Sequence, residues 1–219
     1  MNLKQVLGTL GLLLAATPGL QTSAQVVPGE PVKLQMKNTD WFFSTKTSQK
    51  DSNPVMQSEN ASGFNQNFIF EETPVGASAE GFNIKADGLY LYQTQWNLHL
   101  SSETSKLKDK NFIFDVEADG DYVQIKVRGN GKSIGKDDTG EGKEFYSDKG
   151  GSATAWFKVI PINPVGYYGK LLDNVIAEAQ SLLDTTEEGS GEGQYPVEAR
   201  TALQKAIADA KAAKEGGRH

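Results

Sequence analysis

The sequence predicts a mainly β domain with an α appendage: about twelve short antiparallel strands closing into a small barrel, then a C-terminal antiparallel helical hairpin. Three observations carry this expectation. An aromatic segment occurs three times, as Asn67-Phe68-Ile69-Phe70-Glu71, Asn111-Phe112-Ile113-Phe114-Asp115 and Ala155-Trp156-Phe157-Lys158-Val159, and the first aromatics of successive copies are 44 residues apart. A fixed interval of that size marks a supersecondary unit that buries its apolar face only against its own copies. Between residues 32 and 160 apolar and polar side chains alternate, as on a strand with one wet face. After Pro161-Ile162-Asn163-Pro164 the period lengthens to about 3.6 residues, that of a helix with one apolar stripe.

The chain begins with an address. Lys4 precedes an apolar run, residues 6–16, which has the length of a signal-peptide core and is too short to cross a bilayer. Pro18 and Gly19 end it, and Thr22-Ser23-Ala24 offers small residues for cleavage before Gln25. Residues 1–24 are therefore expected to be a signal peptide, with secretion or a periplasmic or cell-surface location for the rest. A linker, 25–31, follows. The remainder holds no segment long and apolar enough to be a transmembrane helix. The formal net charge is −6, and about −7 once the leader and its one lysine are removed, which argues against a nucleic-acid partner. No cysteine is present, so disulfides, thiolate metal sites and a cysteine nucleophile are excluded.

The repeat domain, 32–160, is built copy by copy. Val32, Leu34 and Met36 alternate with Lys33 and Gln35; matching strands are Phe82-Asn83-Ile84-Lys85-Ala86 and Val123-Gln124-Ile125-Lys126-Val127. Each meets a turn and a second strand: Asn38-Thr39-Asp40 before Trp41-Phe42-Phe43, Asp87-Gly88 before Leu89-Tyr90-Leu91, and Gly129-Asn130-Gly131 before Ser133-Ile134. Asp-Gly and Asn-Gly accept the positive φ that tight turns require. Val55-Met56, Leu98-His99-Leu100 and Phe145-Tyr146 form third strands, and the marker aromatics are expected in the fourth. Closure into a barrel removes the exposed sheet edges that such strands would otherwise present.

On these residues the stretch 32–160 resembles the β-trefoil fold, and within it the ricin-B-like lectin domains. Those lectins carry Gln-x-Trp near the end of each repeat. Here the copies read Asn65-Gln66-Asn67-Phe68, Asp109-Lys110-Asn111-Phe112 and Ala153-Thr154-Ala155-Trp156, so only the first keeps the glutamine. The resemblance implies a sugar site built from an early aspartate, an aromatic on the third strand and an asparagine before the glutamine. In the first copy these positions fall on or near Asp40, Met56 and Asn65. The second copy has Asp87 with Tyr92 and Trp96 as platforms, but Asp109 where the asparagine belongs. The third has Asn130 and Tyr146 without an early aspartate. No copy is complete. Asp40 and Asp87 also suit turns for their own sake.

Other motifs misfire. Asp115-Val116-Glu117-Ala118-Asp119-Gly120 has the opening of a calcium loop, but its twelfth position is Lys126, so a strand entering a hairpin is the better reading. Gly131-Lys132-Ser133 imitates the end of a phosphate-binding loop, yet Lys126 stands where the upstream glycine belongs. The two histidines, His99 and His219, form no cluster in the sequence. No metal or cofactor is expected, and no catalytic residue is singled out.

After the linker 161–166 comes a two-helix module, 167–219. Leu171, Leu172, Val175, Ile176, Ala179, Leu182 and Leu183 share one helical face, and Ala199, Leu203, Ala206, Ile207 and Ala210 share another. Between them lies the acidic, glycine-rich stretch 187–193, with Pro196 suited to a first helical position. From Leu172 to Ala213 the chain resembles FIVAR-type helical modules of secreted glycan-active and bacterial surface proteins. Those usually have three helices. Two of this length are marginal alone, which leaves docking on the barrel, a protein partner through the tail, or a longer module. The expectation for function is a secreted, non-enzymatic, lectin-like protein binding glycan or surface polysaccharide. One alternative is an accessory fragment of a polysaccharide-degrading enzyme with the trefoil as scaffold; another is a protein-binding trefoil, such as a protease inhibitor, presenting residues 132–142 as a loop.

Overall fold

The computed structural model describes residues 26–46, 51–189 and 194–216. The expected signal peptide, 1–24, and His219 lie outside the described residues, as does part of the acidic stretch 187–193. The chain divides into two compact units, with the boundary between Pro164 and Val165.

The first unit is a thirteen-stranded sheet. Its strands are β1 (Pro31–Met36), β2 (Phe42–Lys46), β3 (Val55–Gln57), β4 (Phe64–Asn65), β5 (Phe68–Glu72), β6 (Phe82–Ala86), β7 (Leu89–Thr94), β8 (Asn97–Ser101), β9 (Phe114–Asp119), β10 (Tyr122–Val127), β11 (Lys132–Lys136), β12 (Phe145–Lys149) and β13 (Trp156–Pro161). The strand beyond the expected twelve is β4, two residues paired with β2. Six strands form a closed antiparallel ring: β1 pairs β5, β5 pairs β6, β6 pairs β9, β9 pairs β10, β10 pairs β13, and β13 returns to β1. These are the first and last strands of the three copies. The middle strands of each copy form a hairpin: β2 with β3, β7 with β8, and β11 with β12.

Alternation puts Val32, Leu34 and Met36 of β1, and Val123, Ile125 and Val127 of β10, into the core. The aromatic register differs from the 44-residue interval. Ala86 stands opposite Phe68, Val127 opposite Phe114, and Met36 opposite Phe157, so Phe68, Phe114 and Phe157 are the equivalent rings, all fully buried. Trp156 is half-buried, because neighbours on a strand face opposite sides and Phe157 takes the inner one. Phe112 is buried but lies in a 3-10 turn, Lys110–Phe112, rather than in the fourth strand. Asn83, itself buried, donates to the Leu107 and Phe112 carbonyls at 3.0 and 2.8 Å and fastens that turn to the barrel. Phe112 stacks on Tyr92, rings 4.9 Å apart and 10° from parallel. Phe112→Leu, which keeps the apolar contact and removes the stack, is expected to lower stability by about 0.5–1.5 kcal/mol in urea unfolding.

Two expected boundaries move. Val26 and Val27 are buried, and Gly29 N donates to Phe70 O at 2.9 Å, so 26–31 is part of the β unit and not a linker. Apolar valines cost least inside, whatever the proline and glycine beside them imply. The segment 132–142 is only partly loop: its first five residues are β11, with Ser133, Ile134 and Gly135 buried, which leaves 137–144 as the loop. The would-be calcium carboxylates are committed to cations, Asp115 to Arg128 and Glu117 to Lys126.

The second unit holds α1 (Pro164–Thr185) and α2 (Val197–Gly216). Pro196 precedes α2 rather than opening it, its carbonyl accepting from Arg200 N at 3.1 Å. Val175, Ile176, Ala179, Leu183, Leu203, Ile207 and Ala210 form the shared apolar seam. Arg200, near the start of α2, donates to the Leu183 carbonyl at 2.9 Å, capping the end of α1, while Lys214 near the end of α2 pairs with Asp173, ten residues earlier in α1. The helices are therefore antiparallel. Among the described residues no helix is long and apolar enough to cross a membrane.

Candidate functional site

The three hairpins are joined by hydrogen bonds at their tips. Met56 N donates to Lys143 O and Phe145 N to Pro54 O, both at 2.8 Å, which joins the first copy to the third. Ser147 N donates to Trp96 O at 2.8 Å, which joins the third to the second. Asn53, 8% exposed, is the hub of the seam. Its Oδ1 accepts from Leu98 N at 2.8 Å, and its Nδ2 donates to Asn97 Oδ1 at 3.0 Å and Glu144 Oε2 at 3.3 Å. One amide has two donors and two acceptor lone pairs, so a single asparagine can hold all three copies.

From this hub the network runs to the surface. The Tyr146 hydroxyl donates to Glu144 Oε2 at 2.8 Å. That hydrogen bond, and then burial, hold the Tyr146 phenol above its ordinary pKa. Lys149 Nζ lies 5.0 Å from the Tyr146 ring centroid and pairs with Asp137 at 2.7 Å. At the β7–β8 turn the Trp96 side chain is 54% exposed, which leaves an indole surface open to a ligand. The turn is sharp because Gln95 adopts a φ of 55°. Among the described residues Asn97 Nδ2 and Glu144 Oε1 make no hydrogen bond. An aromatic face thus stands on the same seam as an amide donor, a carboxylate acceptor and a phenol. Such a set can hold a polar ligand that also has an apolar side.

Of the residues expected from the sequence, the structure brings Trp96 and Tyr146 to this seam, from different copies. Asp40 is elsewhere, exposed in the β1–β2 turn. Asn65 is half-buried and spends its amide locally, donating to Asn67 O at 2.9 Å. Asp87 sits exposed at a turn position with φ 50°. Tyr92 gives one ring face to Phe112 and meets His99 edge-on at 6.0 Å, so it covers the barrel rather than offering a bare platform. Met56 is fully buried. Gln66, the remnant of Gln-x-Trp, is a brace: it donates to Ser44 Oγ at 2.9 Å and Ser58 O at 2.8 Å and accepts from Asn60 N at 2.8 Å. Asn130 likewise binds the backbone, donating to Ser147 O at 2.7 Å.

Asn53, Asn97 and Glu144 were not anticipated. Each belongs to a different copy. Asn53 and Asn97 are 44 residues apart, the interval of the aromatic segments, so the repeat does relate these two, whereas Glu144 falls off that interval. The one local signal is the Asn53-Pro54 dipeptide, a turn former.

No protein-family model matches the chain, and no curated protein sequence does. Solved structures do. The chain is similar to Cry35Ab1 with a TM-score of 0.50 and 13% identity, over 63% of this chain and 37% of that one. It thus spans little more than a third of the length of Cry35Ab1. A cytolethal distending toxin chain from Actinobacillus actinomycetemcomitans gives a TM-score of 0.48 at 13% identity, over 61% of this chain and 93% of that one. SeviL, solved bound to asialo-GM1 saccharide, gives 0.47 at 9% identity, over 62% of this chain and 99% of SeviL. At such identities the likeness to Cry35Ab1 is one of fold, and the chemistry of this chain has to be read from its own residues.

Proposed function

We propose that this chain is an exported, non-enzymatic carbohydrate-binding protein whose β unit is a degenerate β-trefoil of the ricin-B-like kind. The closed ring of six strands with one hairpin per sequence copy supports the trefoil reading, and the leader-like N-terminal sequence supports export. The observation that carries the binding reading is an exposed Trp96, its carbonyl bonded to Ser147 N, on the seam that also holds Asn97, Glu144 and Tyr146. A pyranose has apolar C–H patches that stack on an indole and hydroxyls that donate to a carboxylate or accept from an amide. The ligand is a glycan or surface polysaccharide outside the cell, and the helical hairpin is a partial FIVAR-type appendage.

A glycan array probed with the full chain tests this. Trp96→Ala is expected to weaken binding to any hit by about 10- to 100-fold, roughly 1.4–2.8 kcal/mol. An exposed ring contributes little to folding, so stability should stay within about 0.5 kcal/mol of the parent. An empty array, or an unchanged affinity in the variant, would remove the assignment of this seam.

A further inference from the structure

A second polar cleft, of about 350 Å³, lies on the β unit beneath the β1–β2 turn. The period of two builds it. Gln35 of β1 stands opposite Lys158 of β13, and the β10–β13 register that sets Val123 against Phe157 sets Tyr122 beside Lys158. All three residues alternate with buried ones and so face outward: Leu34 and Met36, Phe157, and Val123 are inside. The turn is completed by Asn38 at φ 58° and held by Gln35 Nε2, which donates to Thr39 O at 2.9 Å. It brings Lys37 and Asp40 to the rim of the cleft.

The electrostatics of this cleft run against those of the chain. The whole protein has a formal net charge of −6, yet the cleft is lined by two ammonium groups and one carboxylate. Lys37 Nζ sits 4.5 Å from the Tyr122 ring centroid. Among the described residues neither Lys37 nor Lys158 has a carboxylate within ion-pair distance, and Asp40 pairs with neither. On neighbouring strands Lys33 pairs with Glu59, Lys85 with Glu71 and Lys126 with Glu117; Lys37 and Lys158 differ in being unmatched and together in one concave site. Two ammoniums left unmatched in one concave site, with Tyr122 fixing one of them, make a place for an oxyanion.

We propose that this cleft takes a carboxylate or sulfate borne by an acidic polysaccharide, as a second site separate from the Trp96 seam; the inference rests on the glycan-binding reading. Lys37 and Lys158 hold the anionic group and Asp40 accepts from a neighbouring hydroxyl. The test is calorimetric titration of the full chain with oligogalacturonate, dextran sulfate and neutral dextran, each at low and moderate salt. At least one acidic polymer is expected to bind, more weakly as salt screens the exposed ammoniums. The polymer that binds more tightly identifies carboxylate or sulfate as the source of the oxyanion. The double variant Lys37→Gln with Lys158→Gln should lose about tenfold in affinity and most of the salt dependence. Trp96→Ala should keep that salt dependence, and Lys132→Gln, at an exposed lysine outside the cleft, should match the parent. An equal loss from Lys132→Gln would mean diffuse attraction and overturn the inference. So would indifference to both acidic polymers in a protein that still binds neutral glycans through Trp96. If no glycan of any kind binds, the functional reading falls and takes this inference with it.

Discussion

Replacing Phe43 by alanine is expected to lower the unfolding free energy by about 3–5 kcal/mol. The ring is 1% exposed and lies where copies converge: its centroid is 5.2 Å from Phe68, 4.9 Å from Phe145 and 5.7 Å from Phe157. Phe145 and Phe157 also meet each other at 5.7 Å, so the four rings form one interlocked cluster. Truncation removes the apolar transfer energy and leaves a cavity walled by rings that belong to strands held in hydrogen-bonded register. Such walls cannot collapse inward cheaply. Small domains have only about 5–15 kcal/mol in total, so the variant should be partly unfolded or close to it. Urea unfolding checks the expectation. A loss below about 1 kcal/mol would show that the cluster is not the keystone of the barrel.

Gly135→Val should cost about 3 kcal/mol, and for a reason of space rather than backbone freedom. Gly135 has no positive φ, but a Cβ there would lie 2.2 Å from Lys149 Cβ and 2.4 Å from Ala153 O. Neither atom is the loose end of a side chain, so β12 would have to move. The pairing of β11 with β12 already shifts register between Ser133 and Gly135, which places the glycine under the crossing. Gly131 is the contrast: its φ is +67° and nothing lies within 4 Å of its Cβ position, so Gly131→Ala should cost about 1 kcal/mol through conformation alone. Thermal unfolding of both variants separates the two causes. Because β12 carries Tyr146 and Ser147, Gly135→Val should also weaken binding at the Trp96 seam, whereas Gly131→Ala should not. Equal losses from the two would refute the steric account.

The elements of the barrel were legible because strand formation here follows a local rule. Val32, Leu34 and Met36, or Val123, Ile125 and Val127, announce a half-buried strand without knowledge of any partner. The helical seam was legible for the same reason, since Val175, Ile176, Ala179 and Leu183 repeat on one face. Which aromatic goes inside was not. Trp156 and Phe157 are adjacent, and only the pairing of Phe157 with Met36 decides between them. Copies that diverge by a 3-10 turn, as at Phe112, keep their spacing in the sequence while losing their equivalence in space.

The candidate site was half legible. Trp96 and Tyr146 could be named as aromatics of the right kind, but they were assigned to separate copies. Their meeting depends on Ser147 reaching the Trp96 carbonyl and on Asn53 bonding both Asn97, 44 residues away, and Glu144, 91 residues away. The same holds for the cleft at Lys37 and Lys158, which are distant in the chain and neighbours only because β1 and β13 close the ring.

By itself, then, the order of residues determined three β copies, a change of period and a helical pair, because hydrophobic alternation and turn chemistry act over a few residues. The closed ring, the choice of inner aromatic, the three-copy hub at Asn53 and the positive cleft in an acidic protein were decided only by tertiary structure. Each depends on pairing between strands far apart in the chain, and a hydrogen bond across that separation leaves no trace in local pattern.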